Sequence, residues 1–385
     1  MSDINRAVVP TRGTPVLGTP SRGTPTLSSA DYCSDQIYEI ERQRLFHGGW
    51  MLALRADTLQ PGNRTVVDIA GESILVTRDL TGVIHGFANV CRHRGARLCD
   101  ERSDTNQGSL MCPYHAWTYA LDGRLIATPH LGDDDIDKDA LSLWSVATNV
   151  WQGFVFICLA KEPPAFDDWV AQHGQELVGL ERFGLADLRV AVRTVAQVAA
   201  NWKVIVENYQ ECLHCTRVHP ELVELVPIYR TGWVYDHDRE DGGVMLRNGG
   251  TSLSTNGETP LPVLPGLSDL DASSYYGCTM FPNAFVDVTG TCVIVSYLYP
   301  RGPGHTTMVM EYMFAPETIA DPAFDPSSVV EFNEMVAAQD NMVCERVQQG
   351  VSSRLFQGGV LSPKDDLVID FVAHYLHARG PVDFV

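Results

Sequence analysis

The sequence predicts an α+β protein: an all-β unit followed by a larger mixed unit with an antiparallel sheet and flanking helices. Three observations predict it. Short β-branched runs split by Gly-containing turns occupy roughly residues 63–160. The run Lys161-Glu162-Pro163-Pro164 then interrupts the texture. Beyond it, helical periodicity alternates with strand-like runs. This divides the chain into an arm and helix at 1–45, the β unit at 46–162 and the mixed unit at 163–385.

The elements follow in order. Gly-Thr-Pro recurs at Gly13, Gly18 and Gly23, a Pro and Gly density that predicts an extended arm. YCSDQIYEIERQRLF (32–46) has helical spacing, with Ile37, Ile40 and Leu45 on one face. RTVVDIA, SILVTR and VIHGFA read as strands parted by Gly71-Glu72 and Thr81-Gly82, and WQGFVFICLA (151–160) ends the unit. A helical stretch near 166–183 leads to the strand-like RVAVRTVAQVA. ENYQECLHCTRVHP (207–220) then reads as a helix ended near Pro220. A loop rich in Gly, Ser, Asp and Pro spans about 238–272, strands follow at 292–300 and 306–315, and helices at about 328–349 and 365–378.

A length of 385 residues suits roughly two or three domains. With 28 Lys+Arg against 48 Asp+Glu the net charge is 28 − 48 = −20, which repels nucleic acid and anionic membrane and is compatible with a cationic substrate. No apolar run reaches transmembrane length, and MSDINRAVVP lacks the pattern of a signal peptide, so a cytoplasmic location is expected. Ten scattered cysteines, several beside histidines, predict reduced thiols and metal ligands and not disulfides.

Two segments carry chemistry. CRHRGA (91–96) and CPYHAWTY (112–119) offer Cys91-x-His93 and Cys112-x-x-His115. A [2Fe–2S] centre with two thiolates on one iron and two imidazoles on the other needs this set. So does a Cys₂His₂ zinc site, and the spacing leaves both open. Gly95 suits a tight turn, Pro113 a rigid loop, and Tyr114 and Trp117 a shield; Cys99 falls outside the pattern and reads as a buried thiol.

In 207–220, Cys212-x-x-Cys215 with His214 and His219 offers a compact zinc site. Alternatively His214 and His219 bind a metal with a distant carboxylate, leaving positions open. An ideal helix splays residues five apart by about 140°, so this reading requires a distorted last turn. The carboxylate is sought on the helix opened by Ser328-Val329-Val330-Glu331, a capping-box pattern. Asp340 falls on its apolar stripe of Phe332, Met335, Val336, Val343 and Val347, where a carboxylate is costly unless paired or metal-bound. Glu331, Glu334 and Glu345 are the competitors. His47, His85, His130, His173, His237, His305, His374 and His377 lack partners at ligand spacing.

CRHRG and CPYHAW resemble the two cluster loops of Rieske proteins. With the paired histidines behind them, nearly the whole chain resembles the catalytic (alpha) subunit of Rieske non-heme iron oxygenases. Glu211-Cys212-Leu213-His214, then His219, is similar to the family's acidic residue and histidine pair. ENYQECLHC, QDNMVCERVQQG and LSPKDD resemble the branch acting on quaternary ammonium compounds, which includes glycine betaine, proline betaine and carnitine oxygenases. Glu211 stands where aromatic-ring dioxygenases have aspartate, and Leu213 where this branch usually has an aromatic residue.

The resemblance implies an N-terminal Rieske domain on Cys91, His93, Cys112 and His115, and a mononuclear iron(II) on His214, His219 and Asp340. The cysteines at 212 and 215 become bystanders. It implies a separate flavin/iron–sulfur reductase passing electrons from NAD(P)H, since the chain has no strand followed by GxGxxG. It also implies O₂ as co-substrate, a head-to-tail homotrimer, and Glu211 as the electron bridge between one chain's cluster and the next chain's iron. Glu207, one turn earlier, reads as a solvated helix residue. The expected reaction is hydroxylation, or oxidative N-demethylation with loss of formaldehyde, of a small betaine-like cation. Such a pocket needs aromatic faces; Tyr209 is the first candidate, then Phe281, Phe285, Tyr297, Tyr299 and Phe356. The rival readings are an aromatic-ring-hydroxylating dioxygenase alpha subunit and a non-enzymatic Rieske electron carrier or zinc protein.

Overall fold

The computed structural model describes residues 23–100, 108–132, 135–255, 257 and 259–382. Gly13 and Gly18 of the Gly-Thr-Pro arm lie outside them. The arm's last repeat is not free: Thr24–Pro25 pairs antiparallel with Val360–Leu361. The helix expected over 32–46 is three pieces, Ser29–Cys33, Asp35–Glu41 and the wide turn Arg42–Phe46. Ser34 breaks it, because its hydroxyl accepts from Ile37 N and so caps the second piece. Ile37 and Leu45 are buried as the periodicity requires.

The β unit contains β1 (Met51–Arg55), β2 (Arg64–Ile69), β3 (Glu72–Arg78), β4 (Ile84–Ala88), β5 (Ser109–Met111), β6 (Thr118–Ala120), β7 (Leu125–Ala127), β8 (Ser145–Trp151) and β9 (Phe154–Cys158). Six of them form an antiparallel sheet in the order β1-β9-β8-β4-β3-β2, and β5-β6-β7 form a second, smaller sheet. The β2–β3 hairpin turns on Ala70 and Gly71, both at positive φ (48° and 92°), the conformation a tight two-residue turn requires.

The mixed unit holds a second six-stranded antiparallel sheet. Its strands are β10 (Arg189–Val198), β11 (Val244–Met245), β12 (Ser274–Met280), β13 (Ala284–Val288), β14 (Val293–Gly302) and β15 (His305–Phe314), ordered β10-β15-β14-β13-β12-β11. The β12–β13 hairpin is absent from the sequence reading. Gly277 and Pro282 interrupt its apolar pattern, and tertiary pairing overrides them. Around the sheet lie α1 (Trp202–Tyr209), α2 (Cys215–Val218), α3 (Pro220–Leu225), α4 (Ser327–Val351) and α5 (Asp366–Arg379).

The two units share one core. Asn283 donates to Leu52 O (2.8 Å) and accepts from Leu52 N (3.0 Å), and Asp57 accepts from Arg55 Nε (3.0 Å) and Val190 N (2.9 Å). Behind α1, Glu41 and Lys203 form an ion pair with no exposure, and Glu41 also accepts from Trp202 Nε1 (3.0 Å) and Tyr375 (2.6 Å). Such a pair holds only because its remaining atoms are bonded, and removing one partner costs about 3–5 kcal/mol. It fixes α1, and therefore the turn that follows, against α5. Among the described residues, no helix is long and apolar enough to cross a membrane.

Candidate metal centres

The β unit presents its two motifs on matching turns. After β4, Cys91 N donates to Ala96 O (2.8 Å) and Gly95 N to Cys91 O (3.0 Å). After β5, Cys112 N donates to Trp117 O (2.8 Å) and Ala116 N to Cys112 O (3.1 Å). Each turn closes on a left-handed residue, Gly95 (φ 74°) and Ala116 (φ 56°). The cysteines are 1% and 2% exposed, whereas His93 and His115 lie at the surface with ring centroids 4.7 Å apart.

The donors fit a cluster with sulfur inside and imidazole outside. Burial pushes the Cys112 thiol up; the N–H groups of Tyr114 and His115 point at its sulfur and oppose that rise, and neighbouring Cys91 adds to it. The Tyr119 hydroxyl sits 3.3 Å from Cys91 Sγ while accepting from Arg92 N at 3.0 Å. Desolvation, then His93 and Arg94, lower the His115 pKa and favour the neutral, ligating form. Trp117 stacks on His93 (4.6 Å, 10°), and Tyr114 covers His115 (3.7 Å) while remaining 56% exposed itself. Cys99 is half-buried, not buried.

The second site depends on a helix break. α1 stops at Tyr209, and residues 210–214 form a turn in which the Glu211 carboxylate accepts from Leu213 N. α2 is a single turn with His214 at its N-cap and His219, at φ −123° and ψ 62°, at its C-cap. The two histidines flank a helix instead of riding on one, which answers the angular objection. Pro220 opens α3 at N1 and does not end a helix. Cys212 and Cys215 are both buried and joined in a disulfide across this turn, with Cα atoms 4.9 Å apart. The expectation of reduced thiols fails here, because the tight turn brings the two sulfurs together, with Cys215 Sγ 3.8 Å from His214 Nε2.

Asp340 reaches the pair from α4. Its Oδ1 lies 2.8 Å from His219 Nε2 and 3.3 Å from His214 Nε2. The opposite nitrogens are tied down: His214 Nδ1 to Glu211 Oε1 (2.6 Å) and His219 Nδ1 to Gln339 Oε1 (2.7 Å). Among the described residues, this is the one group of three or more His, Cys, Asp or Glu donors within 4.8 Å of one another. Burial opposes ionisation of Asp340, but hydrogen bonds from His214 and His219 overcome it and lower its pKa. Burial likewise opposes charge on His214, yet Asp340 and Glu211 push it up to about 9. Two Nε2 atoms and one carboxylate oxygen on one side, with both Nδ1 atoms held from behind, fit a two-histidine, one-carboxylate metal centre.

The rival carboxylates are engaged elsewhere. Glu334 accepts from Thr194 (2.6 Å) and Tyr312 (2.9 Å), and Glu345 from Ala199 N (3.1 Å). Glu331 is exposed and the capping box does not form: Pro326 is the N-cap of α4, and Ser328 Oγ is buried without a partner. Val347 is exposed and does not belong to the buried stripe. Glu207 is not solvated, since the Tyr32 hydroxyl lies 2.9 Å from both its oxygens. Two histidines left without a role do meet: His173 and His374 are 5.1 Å apart beside Phe281, and burial pushes His173 down to about 4, as suits a neutral core residue.

Residues 49–146 match the Rieske [2Fe-2S] domain, and residues 185–378, half the chain, match the catalytic domain of the ring hydroxylating alpha subunit. The chain belongs to the ring hydroxylating alpha subunit family. It is a Rieske non-heme iron oxygenase, with a [2Fe–2S] domain, a catalytic domain that binds mononuclear iron, and electrons supplied by a separate reductase.

This oxygenase subunit is 29% identical over 380 residues to the glycine betaine monooxygenase oxygenase subunit of Pseudomonas aeruginosa, covering 89% of this chain and 86% of the relative. It is 27% identical over 339 residues to the carnitine monooxygenase oxygenase subunit of Escherichia coli, covering 86% of each. A solved quaternary ammonium Rieske monooxygenase superposes with a TM-score of 0.76 at 25% identity, over 93% of this chain and 96% of that one. Naphthalene 1,2-dioxygenase from Rhodococcus sp. shares the fold, with a TM-score of 0.70 at 17% identity over 92% and 94% of the two chains. The fold therefore does not separate the two branches; local chemistry must.

Proposed function

We propose that this oxygenase subunit hydroxylates, and where the carbon is N-methyl demethylates, a small quaternary ammonium compound. The cluster ligands in this reading are Cys91, His93, Cys112 and His115, within a functional unit at 46–162. The iron ligands are His214, His219 and Asp340, within the unit at 163–385. The convergence of two Nε2 atoms and Asp340 Oδ1 carries the assignment. Bound iron supplies the O₂-activating chemistry. The chain's own residues hold it in place and keep both Nδ1 positions engaged through Glu211 and Gln339.

The substrate class is supported by the relatives, which are glycine betaine and carnitine monooxygenase subunits. In the same reading the protein is a cytoplasmic homotrimer in which Glu211 bridges one chain's iron to the next chain's cluster. Surface exposure of His93 and His115 supports this, as does the fact that, among the described residues, Glu211 bonds only within its own turn. The solved relative is described in terms of inter-subunit electron transfer. The test is a screen of betaines, N-methyl compounds and arenes with a generic reductase, following NADH and formaldehyde together. Coupled formaldehyde release from a betaine supports the reading. A cis-diol from an arene would make this an aromatic-ring dioxygenase, and cluster oxidation with no product from any substrate would favour an electron carrier.

A further inference from the structure

The mixed unit's sheet carries a half-buried carboxylate that the iron site does not use. Asp287 lies on β13 between the buried apolar residues Val286 and Val288. Among the described residues no lysine or arginine pairs with it. A carboxylate partly withdrawn from water with no cation beside it is costly in an apolar sheet, so its presence there calls for a compensating partner. Two hydroxyls supply part of that compensation. Tyr209, from the end of α1, donates to Oδ1 at 2.7 Å, and Tyr275, from β12, donates to the same oxygen at 2.5 Å. Among the described residues no donor reaches Oδ2.

This convergence is built into the sheet. Asp287 pairs across the ladder with Gly277. A Cβ at Gly277 would sit 2.8 Å from the hydroxyl oxygens of both Tyr209 and Tyr275. Glycine is required there for space, so that two phenols can meet over one carboxylate. Tyr229 adds a third ring, edge-on to Tyr275 at 6.3 Å, and Phe285 stacks on one face of Tyr209 at 4.0 Å. The cluster adjoins the iron site: Tyr209 is two residues from Glu211, and Asp340 is near enough for its charge to act on Asp287. Burial, with that charge added, pushes the Asp287 carboxyl up to about 6, although the tyrosine hydroxyls oppose the rise.

A carboxylate whose second oxygen accepts no hydrogen bond among the described residues, beside a cluster of tyrosine rings, suits an alkylated ammonium ion. Its position fits the chemistry. The carbon to be oxidised in a quaternary ammonium compound is bonded to the charged nitrogen, so that nitrogen must lie beside the metal and not at the pocket mouth. We propose that Asp287 is the counter-charge for the substrate's cationic nitrogen, with Tyr209, Tyr275 and Tyr229 as its aromatic walls. This assignment rests on the quaternary ammonium reading above.

The test is calorimetric binding to the iron-loaded protein. The probes are choline and glycine betaine, each compared with its tert-butyl analogue, in which carbon replaces nitrogen at the same shape. Wild type should favour the cation of a pair by roughly tenfold or more. Asp287→Asn should lose that preference, bind the uncharged tert-butyl analogue of choline as before, and keep its iron content and cluster spectrum. If wild type prefers the cation and Asp287→Asn keeps the preference, the Asp287 assignment is overturned while the substrate class stands. If wild type shows no preference in either pair, the quaternary ammonium reading itself falls and takes the assignment with it. Should Asp287→Asn fail to load iron, Asp287→Ser, which removes the charge and leaves room for water, serves for the same comparison under the same criteria.

Discussion

His219 Nε2 and Asp340 Oδ1 lie 2.8 Å apart although the residues are separated by 121 positions. α2 and α4 meet to bring them together, and His214 joins the same oxygen at 3.3 Å. If this oxygen is a metal ligand, its loss leaves two imidazoles, too few to hold iron against exchange. Asp340→Ala should retain about two irons of three, the Rieske pair without the mononuclear centre. Metal analysis per chain checks this. Three irons and full activity in the variant would move the carboxylate ligand elsewhere.

His115 tests the other centre independently. Its ring is exposed, so truncation removes little packing. His115→Ala should abolish the Rieske visible and EPR signature while leaving mononuclear iron bound. A signature that survives in both His93→Ala and His115→Ala would overturn the cluster assignment.

Glu207 gives a pH prediction. Burial raises its carboxyl from 4.5 to about 7, against the opposing hydrogen bond from Tyr32 and the charge of Lys203, with Asp31 adding to the rise. Between those two values the folded state holds a proton that the unfolded state has released. This contribution to stability is therefore complete below pH 4.5 and is lost as pH rises toward about 7, beyond which it is flat. Glu207→Gln should remove that slope and raise Tm at pH 8 by about 2–4 °C over wild type. Thermal melts across the range check it; parallel curves for the two proteins would show that Glu207 does not carry the proton.

Fixed-spacing motifs made much of this legible in advance. Cys91-x-His93 and Cys112-x-x-His115 announce their turns because the candidate donors and the residues that shape the loops are neighbours in sequence. Asp340 was legible for a different reason: a carboxylate among apolar helix positions is a local anomaly. What failed was non-local. The helix break at 210–214 rests on Glu211 bonding Leu213 N, a side-chain choice that periodicity does not register. The disulfide needs that same turn before Cys212 and Cys215 can face each other. Asp287 leaves almost no trace, because its meaning comes from pairing with Gly277 and from hydroxyls on two other elements. Of the aromatic candidates, Tyr209 and Phe285 reach this cluster. Tyr299 instead donates to Ala53 O at the joint between units, and Tyr297 to Glu311.

Glu211 carries the prediction that joins the two centres. Its Oε1 holds His214 Nδ1 at 2.6 Å and its other oxygen is engaged by Leu213 N, so it fixes the ring whose Nε2 faces Asp340. That arrangement makes it a positioning residue within its own chain. Each carboxylate oxygen can accept a second hydrogen bond, and the exposed rings of His93 and His115 are suitable donors from a neighbouring subunit. Glu211→Gln preserves shape and one acceptor, so both metal centres should remain loaded and the cluster should still accept electrons from a chemical reductant. What should fail is the passage between centres. In a single turnover with O₂ and substrate, cluster oxidation should slow by about 10²-fold or more, as for loss of an interaction that positions reacting groups. Slowed oxidation together with depleted mononuclear iron would reduce Glu211 to a support for His214. Oxidation at the wild-type rate, with both centres loaded, would remove it from the electron route altogether.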